Sequence, residues 1–486
     1  MKLRIQVVVE ADGYAAEVLQ EIATIERGPL RPDDVGLTLA EAKDLLQGVQ
    51  QVLVERQVAE ATAQQACCPA CGQPRRRKGA HTIVVRSLFG TLRLPSPRLF
   101  HCPCQPRPTR TFSPVATLLP ERTTPELQYL EAKFASLMSY GLTAQLLDEV
   151  LPLGRPIHPT TIRNQVRAVA RRLEGELGEE RPAFIAGCQR DWDQLPRPDL
   201  PLTVGLDGGY VHSCQQKSRK DGWFEVIVGT STPAEGPAKR FAFVQSIDPK
   251  PKRRLFAVLT AQGMQMNQQV TFLTDGGETV RDLPRDLNPL SEHLLDWFHV
   301  TMRLTVMGQH ARGLPAAATE ATVSDHRDED LEGEEDLTTA LTWGNAERQL
   351  ASIKWYLWHG NVHHALQEIT DLAWQSDAAA AHPSGRKLAK AVAEFHTYIA
   401  NNATAIPNYG ERYRSGEAIS SAIAESTVNQ VISKRMVKRQ QMRWSPEGAH
   451  LLLQVRTCAL NDDLRAGFAR WYPALDPPVD RQRLAA

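Results

Sequence analysis

The sequence of 486 residues lacks long hydrophobic runs. No run comes close to the ~20 consecutive apolar residues that a membrane-spanning helix needs. Its start, MKLRIQVVVEADGY, also lacks the charged-then-apolar pattern of a secretory signal peptide. Together these absences predict a cytoplasmic protein. The apolar fraction of 42% and the length are sufficient for a large core and for two to four domains.

Net charge is also lacking, because 56 basic and 56 acidic residues cancel. The segment from Asp325 to Asp336 carries eight of the acids, and without it 55 basic and 48 acidic residues leave a net charge of +7. We interpret this segment as a solvated, disordered loop rather than a specific site. Basic clusters remain at Arg75–Lys78, Lys250–Arg254 and Lys434–Arg443, so the charge is segregated along the chain.

Cysteine is sparse but clustered, with five of the eight cysteines between positions 67 and 104. Without a secretion signal, this spacing favours zinc thiolates over disulfides. Cys68-x-x-Cys71 and Cys102-x-Cys104 flank a predicted β-hairpin and predict a structural zinc ribbon with four sulfur ligands.

Two alternatives remain at this cluster. The second cysteine pair is one residue shorter than usual, which leaves open whether Cys67 or His101 replaces a ligand. The other alternative is a set of free cytosolic cysteines that hold no metal, which the two tight pairs make less favoured.

Two β-branched runs each end in an aspartate and two glycines: LTVGLDGG from Leu202 to Gly209 and VTFLTDGG from Val270 to Gly277. This pattern predicts that Asp207 and Asp275 lie where strands emerge at the rim of a sheet. Neighbouring carboxylates repel each other unless a cation neutralises them, and hard oxygen ligands suit Mg²⁺ or Mn²⁺. A third carboxylate is therefore expected.

Glu425 is the best candidate for this third carboxylate. Residues Ser420 to Arg443 contain no Gly or Pro and predict one helix, with Glu425 near its start. Glu278 and Glu417 are rival carboxylates that lack this basic helical context. The same helix carries a stripe of basic residues suited to a phosphate backbone: Lys434, Arg435, Lys438, Arg439 and Arg443.

With Asp296 and His299 following the second aspartate in the order DxxH, this set of residues resembles a DDE transposase of the ribonuclease H-like superfamily. It is most similar to the ISKra group of bacterial insertion sequences, over nearly the whole chain. The resemblance implies metal-dependent DNA strand cleavage and strand transfer with two Mg²⁺ or Mn²⁺. Asp207 would bridge the two metals, with Asp275 on one and Glu425 on the other.

The resemblance also implies double-stranded DNA partners, namely terminal inverted repeats and target DNA, and at least a homodimer on the element ends. The protein would then be nucleoid-associated when bound. Asp296 and His299 are expected as auxiliary residues that contact DNA near the scissile phosphate or brace the catalytic helix. Alternatively, His299 is a satisfied buried histidine, with Trp297 and Phe298 in the core.

Residues Pro125 to Leu177 have helical periodicity, with a break from Pro152 to Pro159. We predict a helix-turn-helix whose recognition helix starts near Thr160, capped by Thr160 or Thr161. An ordinary helical bundle explains the same pattern. The exposed early residues of the recognition helix are predicted to contact DNA: Arg163, Asn164 and Arg167.

The predicted fold class is multidomain α+β, in which a β, β, β, α, β order forms a ribonuclease H-like mixed sheet. An all-helical insertion interrupts that catalytic domain. The predicted segments are an N-terminal region with a helix (1–65), the zinc ribbon (66–120), the helix-turn-helix (121–180), the first catalytic part (200–300), the helical insertion with its acidic loop 325–336 (301–415), and the second catalytic part (416–475).

Within the insertion, tryptophan and histidine residues recur, and we interpret them as aromatic core packing rather than a metal or base-stacking site. They are Trp343, Trp355, Trp358, His359, His363 and His364. Two other functions stay open: a catalytically idle, domesticated DNA-binding regulator, and a metal-dependent nuclease without transposition. Regulators of that kind commonly lose an acidic residue, whereas all three acids are present here.

Overall fold

A computed structural model describes residues 1–9, 17–33, 35–104, 110–196, 201–214, 222–277, 280, 282–315, 341–420, 426–437 and 443–475. The chain is a multidomain mixture of helices and sheets. It forms two compact units: the first is Met1–Gly175 together with the residues from Gln454 onward, and the second is Glu176–Leu453. None of the helices in the described ranges is both long and apolar enough to cross a membrane.

The first unit begins with an antiparallel hairpin of β1 (Lys2–Val9) and β2 (Glu17–Glu26), which we did not predict. Helix α1 (Leu39–Gln64) follows and is fixed at its start by a reciprocal pair of hydrogen bonds between Thr38 and Glu41. A three-stranded sheet comes next, with the order β3 (Arg77–Ser87), β4 (Gly90–Phe100) and β5 (Thr111–Phe112). The predicted hairpin between the two cysteine pairs is therefore confirmed.

Short helices complete the first unit. They are α2 (Pro114–Leu118), α3 (Pro125–Leu137), α4 (Tyr140–Val150) and α5 (Pro159–Glu176). The chain later contributes part of α13 (Pro446–Leu460) and all of α14 (Leu464–Trp471) to this unit. Residues from Gln454 onward thus belong to the first unit, whereas we predicted one continuous segment from 416 to 475. Within the first unit, Arg465 pairs with Glu126 of α3 at 2.8 Å.

The second unit is built on a five-stranded sheet with the order β10-β9-β6-β7-β8. Strands β6, β7 and β8 are antiparallel neighbours, whereas β9 and β10 run parallel to β6. The predicted β, β, β, α, β order is confirmed. The elements are α6 (Gln189–Trp192), β6 (Leu202–His212), β7 (Trp223–Thr232), β8 (Lys239–Val244), α7 (Pro251–Ala261), β9 (Val270–Thr274) and β10 (Ser291–Leu295).

One strand end was predicted wrongly. We placed the end of the first catalytic strand at Asp207, but β6 continues through Gly208 and Gly209 to His212. The reason is that β6 keeps its antiparallel pairing with β7 along this whole length, whereas its parallel pairing with β9 stops at Leu206. Pairing on one flank therefore overrides the turn preference of the two glycines. Asp207 still lies at the rim of the parallel half of the sheet.

A helical region follows the sheet, as predicted for 301–415, and has its own core of buried residues from Leu295 to Tyr409. The acidic segment Asp325–Asp336 lies outside the described residues. The helices are α8 (Trp297–Ala311), α9 (Trp343–Trp358), α10 (Val362–Ala378), α11 (Pro383–Asn401) and α12 (Tyr409–Arg414).

We predicted a single helix from Ser420 to Arg443. Neither of these two end residues is helical in the structure. The described part contains a nine-residue π-helix, Asn429–Val437, and Trp444 forms a parallel bridge with Ser213 at the end of β6. A strand-like contact of this kind cannot be made by a residue inside a helix. Glu425 lies outside the described residues, as do Lys438 and Arg439.

Glu131 on α3 is fully buried, and neither of its carboxylate oxygens has a hydrogen-bond partner. Burial raises the pKa of this carboxyl from 4.5 to about 7, although nearby Arg86 opposes the shift. Between these two pH values the unfolded chain is ionised at Glu131 while the folded chain holds a proton. Stability therefore falls as the pH rises through this window, by about 3 kcal/mol, and levels off above it.

Replacing the acid by its amide, Glu131→Gln, should remove this loss because the amide carries no charge at any pH in the window. Thermal unfolding of the full chain between pH 4.5 and 8, with zinc present, checks the expectation. Equal pH slopes for the variant and the unaltered chain would contradict it. Glu126→Gln, at a half-exposed position on the same helix, is the matched control.

Candidate active site and metal centre

Three aspartates follow the last paired residues of three parallel strands, which are joined by two pairings in matched register. Leu206 of β6 pairs with Thr274 of β9, and Thr274 pairs with Leu295 of β10. The next residue on each chain is an aspartate: Asp207, Asp275 or Asp296. The backbone N–H of Asp296 donates to the carbonyl of Thr274 at 2.8 Å, which continues the ladder by one step. The fold therefore brings the two predicted aspartates to one sheet edge and adds Asp296 beside them.

Local turns hold these carboxylates. Asp275 accepts a hydrogen bond from the N–H of Gly277 at 2.9 Å, across a backbone turn in which Gly276 has a φ of +80°. A Cβ on Gly276 would lie 2.7 Å from the side chain of Leu295, so only glycine fits there. The glycines after Asp275 therefore let the chain leave the strand at once.

Asp296 is fully buried and caps α8, where its side chain accepts the N–H of Phe298 at 2.9 Å. His299 lies in the first turn of that helix, because its N–H donates to the carbonyl of Asp296 at 3.1 Å. The predicted strand-to-helix turn is thus present. Trp297 packs against the helical core and Val300 is fully buried within it.

The electrostatics of this edge favour a cation. Burial raises the pKa of Asp207, and the like charges of Asp275 and Asp296 raise it further, while His299 opposes them. Only 9% of Asp207 is exposed. The charge of a carboxylate in the position of Asp207 is neutralised either by a proton or by a divalent cation, and hard oxygen ligands suit Mg²⁺ or Mn²⁺.

The chain segment after Glu425 packs on the same face of the sheet as Asp207. Side chains alternate along a strand, so Gly209 presents its α-hydrogen on the Asp207 face. A Cβ added at Gly209 would lie 2.6 Å from Ile432 and 3.3 Å from Val428. Glycine at this position permits the close approach of the π-helix to β6.

A second contact fixes the start of that segment. Thr230 of β7 lies opposite Gly205 of β6 and therefore on the Asp207 face. Its hydroxyl donates to the hydroxyl of Thr427 at 2.5 Å, and both threonines are buried. Thr427 is two residues from Glu425 in the chain. The structure thus ties the neighbours of Glu425 to the Asp207 face, while Glu425 itself lies outside the described residues.

The rival carboxylates differ in their surroundings. Glu417 forms an ion pair with Arg412 at 2.9 Å, and Arg412 also makes a two-pronged pair with Glu292. Glu292 lies beside Thr271, three residues before the end of β9, so this network is displaced from the aspartate edge. Glu278 lies outside the described residues.

One residue of the predicted basic stripe is buried. Arg435, predicted to bind DNA, is fully buried, and its guanidinium lies over the ring of Trp444 at 5.2 Å. It is not available to a phosphate. Arg435 follows the buried Val431 by four residues and directly precedes the buried Met436, so it lies on the buried face of this segment. Lys434 and Arg443 are exposed, as predicted.

Arg303 is a basic residue near the edge that the sequence analysis missed. It lies four residues after His299 on α8, on the same helical face. Its guanidinium lies over the ring of Tyr398 at 4.1 Å, and Tyr398 in turn experiences the charges of Asp275 and Asp296. The i, i+4 spacing from His299 was the available signal.

Helix α5 presents part of the predicted DNA-contacting set. Arg163 and Asn164 are exposed and Arg167 is half-buried, while the opposite face of the helix is buried in the core. The predicted cap is wrong, because the helix begins at Pro159 and the ring of His158 accepts the N–H of Thr160 at 3.2 Å. Eight residues connect α4 to α5, a longer connection than the usual three- or four-residue turn.

The four predicted cysteines converge. The Sγ atoms of Cys68 and Cys104 are 3.5 Å apart, those of Cys71 and Cys102 are 3.5 Å apart, and those of Cys71 and Cys104 are 3.4 Å apart. A tetrahedron with metal–sulfur bonds of ~2.3 Å has sulfur–sulfur edges of about 3.8 Å. The cluster thus fits a four-thiolate metal site, and all four Sγ atoms lie within 4.8 Å of one another.

The question of a substitute ligand is answered by the same geometry. Cys67 is exposed and is not part of the four-sulfur group, and His101 instead stacks on Phe112 with ring centroids 4.7 Å apart. The backbone N–H groups of Ala70 and Cys71 lower the pKa of the Cys68 thiol to about 6. A thiol that ionises near neutral pH is a ready metal ligand.

The aromatic residues of the helical region are not all in its core, contrary to our interpretation. Trp358 packs against the core, but Trp355 is 58% exposed and Trp343 is 38% exposed. Trp374, which we had not singled out, is 79% exposed. Packing of one helix face into the core therefore explains the positions of only some of these aromatic residues.

The chain is thus a two-unit α/β protein in which three aspartates follow neighbouring strands of one sheet and four cysteines converge in the other unit. No family model matches the chain, and no curated protein is significantly similar to it in sequence. The functional assignment rests on the residues of the chain itself.

Proposed function

We propose that the protein is a DDE transposase that cleaves DNA and joins strands at the ends of an insertion sequence. One observation carries the proposal: Asp207 and Asp275 lie side by side at the end of a parallel pairing, and the segment that follows Glu425 packs on the same face as Asp207. These are the three acids that the sequence singles out. Asp207 and Asp275 are 68 residues apart in the sequence, yet they follow paired strand residues in the fold, and Glu425 comes 150 residues after Asp275 in the chain.

The sheet supports a ribonuclease H-like fold for the catalytic part. Three antiparallel strands are followed by two strands parallel to the first, and the first strand occupies the centre of the order β10-β9-β6-β7-β8. The helical region between β10 and the π-helix is compatible with an insertion in such a domain. The resemblance drawn from the residues and the strand order therefore point to the same architecture.

In this proposal Asp207, Asp275 and Glu425 hold two Mg²⁺ or Mn²⁺, and Asp296 adds negative charge beside them. The bound metals would activate a water or a 3′-hydroxyl and stabilise the departing 3′-oxygen. The role of the protein is to hold its acids in place before DNA arrives. Asp207 is fixed by strand pairing and Asp275 by its glycine turn, while His299 opposes the accumulated negative charge.

DNA would lie along the basic surfaces near this edge and on α5. Arg303, Lys434 and Arg443 are exposed cations of the second unit, and Arg163 and Asn164 are exposed on α5 of the first. Double-stranded DNA is the proposed partner, both as the element ends and as the target. Holding two ends together would require at least a homodimer. The four-cysteine cluster would hold a structural zinc.

The alternatives are separated by one experiment. The DNA that flanks the gene is incubated with the full chain and Mg²⁺, and the products are resolved on a denaturing gel. Cleavage at inverted repeats followed by joining to a second DNA molecule supports a transposase. Cleavage without joining would assign a nuclease, and specific binding without cleavage would assign an idle regulator.

DNA contacts can be sorted by their salt dependence. Each phosphate contact that is lost should reduce the slope of log affinity against log salt by about one unit. We expect the double variant Lys434→Ala with Arg443→Ala to weaken binding to all DNA sequences alike and to flatten this slope by about two units. Lys390→Ala, on the exposed face of α11, is the matched control and should change neither quantity.

Changes on α5 should behave differently because base-edge contacts specify sequence while phosphate contacts position the protein. Arg163→Ala with Asn164→Ala should mainly reduce the preference for the element's own ends over unrelated DNA, by roughly 10-fold or more. Titration of both DNAs at several salt concentrations measures slope and preference together. An unaltered preference in the α5 variant would show that this helix does not contact the bases.

A further inference from the structure

The end of α11 lies against the backbone turn that holds Asp275. Asn402, which follows the last residue of α11, is buried, and its side-chain amide donates to the carbonyl of Tyr398 at 2.9 Å. A Cβ on Gly276 would lie 2.7 Å from that amide nitrogen, so Asn402 packs directly on the residue after Asp275. The helical region therefore reaches the aspartate edge through the end of this helix.

Tyr398 lies one turn before Asn402, on the same face of the helix. Its hydroxyl oxygen is buried and has no hydrogen-bond partner among the described residues, because the guanidinium of Arg303 lies over the ring instead. Burial raises the pKa of this hydroxyl, and the charges of Asp275 and Asp296 raise it further, while Arg303 opposes them. The group therefore stays a neutral hydroxyl near the acids, able both to donate and to accept a hydrogen bond.

Packing does not explain this hydroxyl. The ring of Tyr398 packs against the helical core, where a phenylalanine ring would fill the same space. A buried hydroxyl without a partner destabilises the fold, because it has given up its hydrogen bonds to water. A cation held by the neighbouring carboxylates would bring a partner with it, since protein-bound Mg²⁺ keeps several of its own water molecules.

We propose that Tyr398 is a positioning residue of the metal site, whose hydroxyl hydrogen-bonds a water molecule carried by the cation at Asp275. The inference rests on the metal centre of the proposed function and gives the helical region a part in it. Asn402 fixes the position of Tyr398, because it bonds the Tyr398 carbonyl and packs on the turn after Asp275. Removing a group that orients the ligands of a metal typically weakens metal binding by roughly 10- to 100-fold.

The test is the binding of Mn²⁺ to the full, zinc-loaded chain in the absence of DNA, with free Mn²⁺ measured by its paramagnetic resonance signal. We expect Tyr398→Phe to raise the Kd for Mn²⁺ by roughly 10- to 100-fold. Without Mn²⁺, the same variant should unfold at the temperature of the unaltered chain or above it, because it lacks an unpaired buried hydroxyl. A purely structural role of the hydroxyl would not weaken metal binding while sparing the metal-free fold.

Tyr356→Phe is the matched control, because Tyr356 is another partly buried tyrosine that packs against the same core, and its ring stacks on His364 of α10. It should leave the Kd for Mn²⁺ unchanged. Equal Mn²⁺ affinity of Tyr398→Phe and the unaltered chain would overturn the role of Tyr398 while leaving the transposase proposal in place. Weaker binding together with a lower unfolding temperature of the metal-free variant would overturn it too, since a damaged fold would then explain the loss. Failure of the unaltered chain to bind Mn²⁺ would overturn both proposals.

Discussion

Alanine in place of Asp207, Asp275 or Glu425 should reduce DNA cleavage and strand joining by at least about 10³-fold each. Metal-ion stabilisation of the transition state is worth several kcal/mol, and each 1.36 kcal/mol corresponds to a tenfold change in rate. DNA binding in EDTA should be preserved, because the acids hold metal rather than phosphate. Rates are measured on the flanking DNA with Mg²⁺ and again with Mn²⁺.

Two controls separate metal loss from misfolding. Asp207→Asn keeps the shape of the side chain and removes its charge, so it should fold and bind DNA but lose the thermal stabilisation by Mg²⁺. That stabilisation is about 2.7 kcal/mol for the unaltered chain when the metal is at 100 times its Kd. Asp282→Ala, an exposed aspartate of the same unit, should behave as the unaltered chain does. Full cleavage by Glu425→Ala would transfer the third ligand position to Asp296 or to one of the rival glutamates.

Removal of zinc should unfold the β3–β4 hairpin and the cysteine loops around it. Structural zinc can supply ~10 kcal/mol or more to a small module, and the tip of this hairpin is otherwise held by a small cluster of apolar residues. Purified chain should contain about one zinc, and Cys68→Ser or Cys104→Ser should lower that content and expose residues 66–105 to proteolysis. Elemental analysis and limited digestion measure the two effects.

Cys67→Ser provides the matched control, since Cys67 is the immediate chain neighbour of Cys68 but lies outside the four-sulfur group. It should retain the full zinc content. The chain can be purified from cells grown in zinc-supplemented medium. If it then contains no zinc and its ribbon still resists protease, a metal at this site is excluded. Equal loss of zinc from Cys67→Ser would show that the ligand set differs from the one the sulfur distances indicate.

Local patterns of the sequence predicted the cysteine cluster and the strand order well. Cys68 and Cys71 are three residues apart, so their convergence depends on a single turn that spacing alone specifies. The β, β, β, α, β order followed from β-branched runs separated by turn residues. The hairpin of β1 and β2 was missed, although the residues from Lys2 to Val7 alternate between polar and apolar as those of a half-buried strand do.

Other features could not be predicted because tertiary contacts decide them. Gly208 and Gly209 form a turn signal, yet pairing with β7 keeps both in the strand. We predicted Arg435 on a solvent-facing basic stripe, but the packing of this segment buries its guanidinium against the ring of Trp444. Asp296 was expected as an auxiliary residue from the resemblance, but its position in the ladder next to Asp275 depends on the register of β9 and β10, which no spacing in the sequence specifies.

Because alignment of Leu206, Thr274 and Leu295 is what brings the acids together, the site has an uneven tolerance to changes in chain length. One residue inserted within β9 would shift Asp275 by a full step and turn alternate side chains to the opposite face of the sheet. Residues added between α8 and α9, which are helices outside the sheet, would leave both register pairs intact. Length variation is therefore expected to accumulate between these two helices and to be excluded from the five residues of β9.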